Sequence, residues 1–342
     1  MENKAARTKR RIPATTEHFW HFILYDYRII RYTILVSENN FKCNFCKVCN
    51  GKGCVGQLPG MGGVRNNENF ILNCSAWELI RNNNIERIKQ FLDLEPEFRI
   101  PQITIAPMTG AVENIGFGQE SDFYDAIIQA MHKVGVGLSI GDGYPDEKLK
   151  FGIEALQKIK IEAPEAQTSV FIKPYSNERI FERFEWAKDC VKVAGIDIDS
   201  YNIVTMRNLV KLEKKTAAQL IEIKNHVKIP FAIKGIFTQE DIELVKEVKP
   251  DIVYISNHGG RVETRKGSTA EFFAKHVDEL KDYCDEVWVD GGIRSPRDVA
   301  TAMALGADCV LIGRPFASAL CHGGPEELCG KVLELSLLKY GF

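Results

Sequence analysis

Four short stretches late in the chain place reactive side chains directly behind apolar runs. They are Ala232-Ile233-Lys234-Gly235, Ser256-Asn257-His258-Gly259-Gly260-Arg261, Val289-Asp290-Gly291-Gly292-Ile293-Arg294 and Ile312-Gly313-Arg314-Pro315-Phe316. Each starts as a β-branched run and ends in glycine plus a charged or imidazole group, as barrel strands do when they deliver polar groups to the mouth of an α/β barrel. His258 can exchange a proton near neutral pH, and Arg261 can grip a carboxylate through two parallel hydrogen bonds. Lys234 suits either of two tasks, a Schiff-base nucleophile or a cation facing an electron-rich cofactor ring. Gly291, Gly292 and Gly313 let backbone N–H groups close on phosphate oxygens, and Arg294 or Arg314 adds charge and forked donors. A proton acceptor beside a carboxylate clamp and a phosphate-bearing cofactor points to oxidation of a small organic acid.

A second chemistry-bearing group lies far upstream. Cys43, Cys46, Cys49 and Cys54 form C-x2-C-x2-C-x4-C, followed by Gly60-Met61-Gly62-Gly63. Thiolates at this spacing can wrap a zinc ion or part of an iron–sulfur cluster. The Cys-Pro step that completes a ferredoxin run is missing, so redox-active thiols and unligated cysteines stay open beside metal binding. The remaining six of the ten cysteines are scattered and read as core or surface residues.

The elements that must position these groups repeat from Pro101 onward. Short apolar strands are expected at Ile103–Ala106, Val136–Ile140, Ser169–Lys173, Gly195–Asp199, Pro230–Lys234, Ile252–Ser256, Glu286–Asp290 and Cys309–Gly313. Continuous apolar runs suit parallel strands covered on both faces. Amphipathic helices fall between them with legible ends. Thr238 precedes Gln239-Glu240-Asp241, Ser295 precedes Pro296 with Asp298 in the first turn, and Gly306 stands where the latter helix stops. Eight such units suit a (β/α)8 TIM barrel of about 250 residues. A doubly wound sheet would carry an early Gly-rich fingerprint, which this chain lacks. The expected organisation is a basic and aromatic tail over 1–40, a Cys-rich segment over 41–100, and a barrel over 101–342.

Bulk properties narrow the function. A net charge of −2 over 342 residues argues against a general nucleic-acid binder. Asp26, Arg28 and Arg31 interrupt the aromatic run His18–Val36, so no integral membrane span is expected there. Ten cysteines without a cleavable signal pattern suit a reducing, cytoplasmic setting. We expect a homo-oligomer.

The four stretches together resemble the FMN-dependent α-hydroxy acid oxidase and dehydrogenase family, which includes glycolate and lactate oxidases. The likeness covers the barrel and is dense after Phe231; a Cys-rich leader is similar to one in a bacterial branch of that family. The resemblance implies FMN as cofactor and oxidation of an L-2-hydroxy acid to the 2-oxo acid, with electrons leaving to oxygen or another acceptor. It implies His258 as catalytic base, Arg261 as substrate-carboxylate clamp and Asp199 as the acid that orients the histidine. Lys234 would stabilise negative charge on reduced FMN, while Asp290, Gly291, Gly292, Arg294, Gly313 and Arg314 would hold the phosphate. Pro107, Ser139 and Ser256 complete the implied cofactor set.

The chain also departs from that pattern. Gln-Leu-Tyr is expected on strand three, where Ile172-Lys173-Pro174 stands, followed by Tyr175. A second arginine is expected after strand four, where Met206 and Arg207 fall. Two rival readings follow: an FMN-dependent isomerase resembling type 2 isopentenyl diphosphate isomerase, and a non-catalytic flavin- or metal-sensing protein. The isomerase would not need His258 paired with Arg261.

Overall fold

Strands that are apolar on both faces need cover on both sides, and a closed ring of strands inside a ring of helices supplies it. The computed structural model describes residues 68–94, 103–112, 117–203, 209–262 and 264–336. Eight strands form the ring: β1 (Ile103–Ile105), β2 (Ser139–Gly141), β3 (Thr168–Ile172), β4 (Val191–Asp197), β5 (Phe231–Ile236), β6 (Ile252–Ile255), β7 (Glu286–Val289) and β8 (Cys309–Ile312). All are parallel, in the order β1-β8-β7-β6-β5-β4-β3-β2. The seam shuts ahead of β2: Ile105 N–H donates to Gly137 O and Gly137 N–H to Ile103 O, each at 3.0 Å. A Cβ on Gly137 would lie 2.2 Å from Thr104 Oγ1, so a side chain there would force the seam apart.

The eight expected strands are therefore all present, with bounds shifted by one to four residues, most at β4 and β2. β4 begins earlier, at Val191, and leaves the sheet at Asp197; Asp199 sits beyond it in a 3-10 turn, Ile198–Asn202. β2 is shorter than the apolar run Val136–Ile140, because the chain joins the sheet at Gly137 through a single bridge only.

Two helices, α1 (Glu68–Asn83) and α2 (Ile85–Leu94), precede the barrel. After successive strands come α3 (Glu120–Lys133), α4 (Glu147–Lys160), α5 (Asn177–Ala187), α6 (Ala217–Val227), α7 (Gln239–Val248), α8 (Thr269–Leu280), α9 (Pro296–Leu305) and α10 (Arg314–Ser336). The expected caps are in place. Thr238 Oγ1 accepts from Asp241 N–H at 3.2 Å, and Ser295 with Asp298 closes a reciprocal capping box. Each such cap contributes about 1 kcal/mol. Gly306 ends α9 at φ 112°, where Arg87 from α2 donates to the carbonyls of Ala304 and Leu305 at 3.0 and 3.1 Å. A guanidinium there satisfies carbonyls the helix leaves bare and opposes its dipole.

Phe171, Tyr254 and Trp288 fill the barrel interior as a tilted aromatic trio, with centroids 5.4 to 6.5 Å apart. A Cβ at Gly195 would lie 2.3 Å from the Phe171 ring, so glycine on β4 makes the room that ring occupies. This packed floor forces the polar groups at the strand ends upward, into a shared cavity. The Cys43–Cys54 motif, the tail over 1–40 and Met206-Arg207 lie outside the described residues. Among the described residues, no helix is long and apolar enough to cross a membrane.

Candidate active site

A cavity of about 230 Å³ opens at the C-terminal ends of the strands, the face where such barrels carry their sites. Its wall holds Lys148, Lys173, Lys234, Arg261, Arg294 and Arg314 against only Asp142, Asp197 and Asp290. That excess of positive charge, partly withdrawn from water, suits anionic ligands.

One end of the cavity is built by a row of alternating charge. Asp197, buried at the end of β4, accepts from Lys173 Nζ on the β3 side at 2.6 Å and from Lys234 Nζ on β5 at 2.7 Å. The β4–β5 register pairs Asp197 directly with Lys234, so neighbouring strands hold the ions in line. Burial pushes Asp197 up, but His258, Lys173 and Lys234 outweigh it and hold the carboxyl well below the usual range. The row continues through Asp142, which accepts from Lys173 N–H at 3.0 Å and from Arg183 Nη1 at 2.8 Å. Burial pushes Asp142 up to about 6 against the pull of Arg183.

His258 meets this row from the β6 loop. Its Nδ1 lies 3.1 Å from Asp199 Oδ1, 3.5 Å from Asp197 Oδ1 and 3.3 Å from Lys234 Nζ. We assign the ring proton to Nδ1, donated to Asp199, because the protons of Lys234 are drawn to Asp197; Nε2 is then the nitrogen able to take a proton. The backbone at His258 is left-handed, φ 56°, a conformation held by Asn257 and Ser256 on its N-terminal side. Gly235 supports the arrangement from β5: a Cβ there would strike Asp199 Cγ at 2.7 Å. Arg261, on the same loop as His258, is half-buried on the cavity wall, and desolvation lowers its pKa to about 10 despite Asp197 and Asp199.

The loops after β7 and β8 suit phosphate. Gly291 and Gly292 follow β7 at φ 95° and 78°, and Gly313 and Arg314 follow β8. Arg314 is held by the Gly259 carbonyl through Nη2, but its buried Nη1 has no partner. Burial and then repulsion from Arg294 lower the Arg314 pKa to about 9. A buried donor without an acceptor, next to a second guanidinium, is what a missing dianion leaves behind. The residues therefore fit the FMN phosphate. The side toward the glycines' missing Cβ atoms is taken by α1, since a Cβ on Gly292 would lie 1.7 Å from Asn73 O.

Most expected site residues converge: Pro107, Lys234, His258, Arg261, Asp290, Gly291, Gly292, Arg294, Gly313 and Arg314 all line the cavity. Asp199 stands behind His258. Ser139 and Ser256 lie beneath the wall instead. Ser139 is buried in β2 with an unpartnered hydroxyl, and Ser256 donates to Asp290 Oδ2 at 3.1 Å while accepting His258 N–H at 3.1 Å. Tyr175 does not line the cavity; its ring is buried under the Arg183 guanidinium at 4.5 Å. The tyrosine at the mouth is Tyr144, from the loop after β2. Sequence reasoning missed Asp197 and the partnership of Lys173 with it. The signal was available, because Asp197 and Asp199 share one run and only their spacing decides which ends the strand.

Fold and site define a parallel barrel of the enzyme kind, with an imidazole, buried cations and glycine loops gathered at the C-terminal ends of its strands. Residues 165–335 match the model of the FMN-dependent dehydrogenase family, half of the chain, and the chain belongs to that family. It is 39% identical over 108 residues to 2-hydroxyacid oxidase 2 of Bos taurus, covering 32% of this chain and 30% of the relative. It is 38% identical over 113 residues to 4-hydroxymandelate oxidase of Amycolatopsis orientalis, covering 33% and 31%. The matched stretch thus spans about a third of the length of these curated relatives. Among solved structures, mandelate oxidase with 3,3-difluoro-2-hydroxy-3-phenylpropionic acid aligns with a TM-score of 0.53 at 25% identity, over 69% of this chain and 71% of that one. A mandelate oxidase variant with benzoyl-formic acid shares the fold at a TM-score of 0.59 and 21% identity, over 82% and 87%.

Proposed function

We infer that this chain binds FMN in the barrel mouth and oxidises an L-2-hydroxy acid to the corresponding 2-oxo acid. The observation that carries the reading is the placement of His258 and Arg261 on one loop, with Asp199 behind the imidazole and Arg314 on the Gly259 carbonyl of that same loop. Arg294, Arg314 and the backbone around Gly291, Gly292 and Gly313 would hold the phosphate. Lys234, raised above its usual pKa because Asp197, Asp199 and Asp290 outweigh desolvation, stays charged and would face the flavin edge where negative charge collects. FMN, when bound, supplies the acceptor for the hydride equivalent leaving the substrate carbon and passes the electrons to oxygen or another acceptor.

The remaining chemistry belongs to the chain's own groups. Arg261 anchors the substrate carboxylate through forked donors and so fixes the hydroxyl-bearing carbon near the histidine. His258 Nε2 takes one proton from the substrate, and Asp199 steadies the imidazolium that results. Loss of that proton and of a hydride converts the alcohol carbon to a carbonyl, which balances the reaction. Tyr144 and Leu209, exposed at the mouth, would face an apolar side chain on the acid. The isomerase alternative is not favoured, since the named relatives are oxidases and dehydrogenases. The test is anaerobic bleaching of the purified flavoprotein by 2-hydroxy acids; a flavin that no such acid reduces would overturn the reading.

A further inference from the structure

The helix ahead of the barrel reaches both loops that carry ligand-binding groups. Asn73, fully buried on α1, commits its whole amide to the β6 loop and to the start of α8. Its Oδ1 accepts from Thr269 N–H at 2.9 Å, Thr269 Oγ1 at 3.3 Å and Asn257 Nδ2 at 3.1 Å, while its Nδ2 donates to Asn257 Oδ1 at 2.8 Å. Asn257 Oδ1 also accepts from Gly260 N–H at 2.9 Å. The facing amides therefore close the turn that presents His258 and Arg261.

One helical turn to either side repeats the pattern. Asn69 Oδ1 accepts from Gly267 N–H at 3.0 Å and its Nδ2 donates to Arg265 O at 2.9 Å. Trp77 Nε1 donates to Gly291 O at 2.8 Å, in the phosphate loop. Residues 69, 73 and 77 are four apart and so share one face of the helix. On the same helix, the Phe70 ring lies 4.5 Å from the Arg314 guanidinium and 5.7 Å from that of Arg294. Close approach is also written into the glycines, because a Cβ on Gly292 would overlap the Asn73 carbonyl. The opposite face, with Ile71, Ser75 and Glu78, is exposed.

We propose that α1 is a latch whose docking builds the phosphate pocket and sets the His258 turn, with Asn73 as its positioning residue. The proposal rests on the FMN reading above. An asparagine removed from a buried amide pair leaves its partner unsatisfied, so the loss falls on Asn257 and the turn it closes. Docking and cofactor binding are then linked, and by reciprocity FMN must favour the docked helix by the same factor that docking favours FMN.

The test uses the full chain as wild type, Asn73→Ala, and Ser75→Ala on the exposed face. FMN affinity is read by quenching of flavin fluorescence on titration into apoprotein, and α1 docking by amide hydrogen exchange over residues 68–83 with and without FMN. Asn73→Ala is expected to bind FMN at least tenfold more weakly and Ser75→Ala like wild type, with FMN slowing exchange across α1. Equal FMN affinity in wild type and Asn73→Ala would overturn the latch while leaving the cofactor reading intact. A wild type that binds no FMN would overturn the cofactor reading and the latch with it. Should Asn73→Ala not fold, exchange in the wild type decides alone, and α1 amides indifferent to FMN would refute the linkage.

Discussion

Replacing Arg314 with Met separates a residue kept for a ligand from one kept for the fold. In the structure Arg314 is half-buried, has one buried nitrogen without a hydrogen-bond partner among the described residues and faces repulsion from Arg294, all of which disfavour its charge in the ligand-free protein. Among the described residues it donates to the Gly259 carbonyl and lies over the Phe70 ring. Methionine of similar reach removes the repulsion and the unsatisfied donor, so the apoprotein should melt at the same temperature as wild type or higher. Binding should move the other way. A charge-assisted contact to phosphate contributes about 1.5–3 kcal/mol, or roughly ten- to hundredfold in affinity. At an FMN concentration about 1,000 times the wild-type Kd, ligation stabilises by about 4.1 kcal/mol; a hundredfold weaker variant retains about 1.4 kcal/mol. At about 2 °C per kcal/mol for a domain of this size, the FMN-dependent rise in Tm should shrink by roughly 5 °C. Thermal melts with and without FMN measure both quantities. An apoprotein that loses several degrees with an unchanged FMN shift would refute the reasoning, since Arg314 would then be a structural cation.

Asp197→Asn should show the opposite signature, destabilising the apoprotein by about 3–5 kcal/mol because two buried ammoniums lose their shared counter-ion. Since the folded protein holds the Asp197 carboxyl below its unfolded value, this stabilisation is full above about pH 4 and fades as pH falls through the folded value. Denaturant melts at several pH values should therefore find the gap between wild type and variant widest near neutrality and narrowing in acid. Arg261→Lys should keep FMN but raise KM for the hydroxy acid by about tenfold or more, because a point charge cannot reproduce the forked contact. An unchanged KM would remove Arg261 from the carboxylate clamp.

The barrel was legible because each strand is an apolar run ending in glycine or a charge, a local pattern that tertiary packing did not override. Caps at Thr238, Ser295 and Gly306 were legible for the same reason, being contacts within a few residues. Cavity-lining residues near the strand ends, such as Lys234 and Arg314, followed from their place behind apolar runs. The contacts that escaped are long-range. Nothing near Asn73 marks it as the partner of Asn257 or as a neighbour of Gly292, and the glycines of the β7 loop read as phosphate-binding without showing that α1 lies against them. Lys173 read only as part of the run that replaces Gln-Leu-Tyr, because its value lies in Asp197 on the next strand, which the one-dimensional pattern placed inside β4 rather than at its end.

The central claim, that His258 and a bound FMN together oxidise a 2-hydroxy acid, is tested most directly by anaerobic stopped-flow reduction of the flavin. Wild type and His258→Ala, each loaded with FMN, would be mixed with a panel of L-2-hydroxy acids of increasing apolar side chain. The account predicts bleaching of the wild-type flavin by at least one acid, and a rate about 10²–10⁴-fold lower in His258→Ala at equal FMN content. Equal rates in the two proteins, or a wild-type flavin that no acid bleaches, would contradict it.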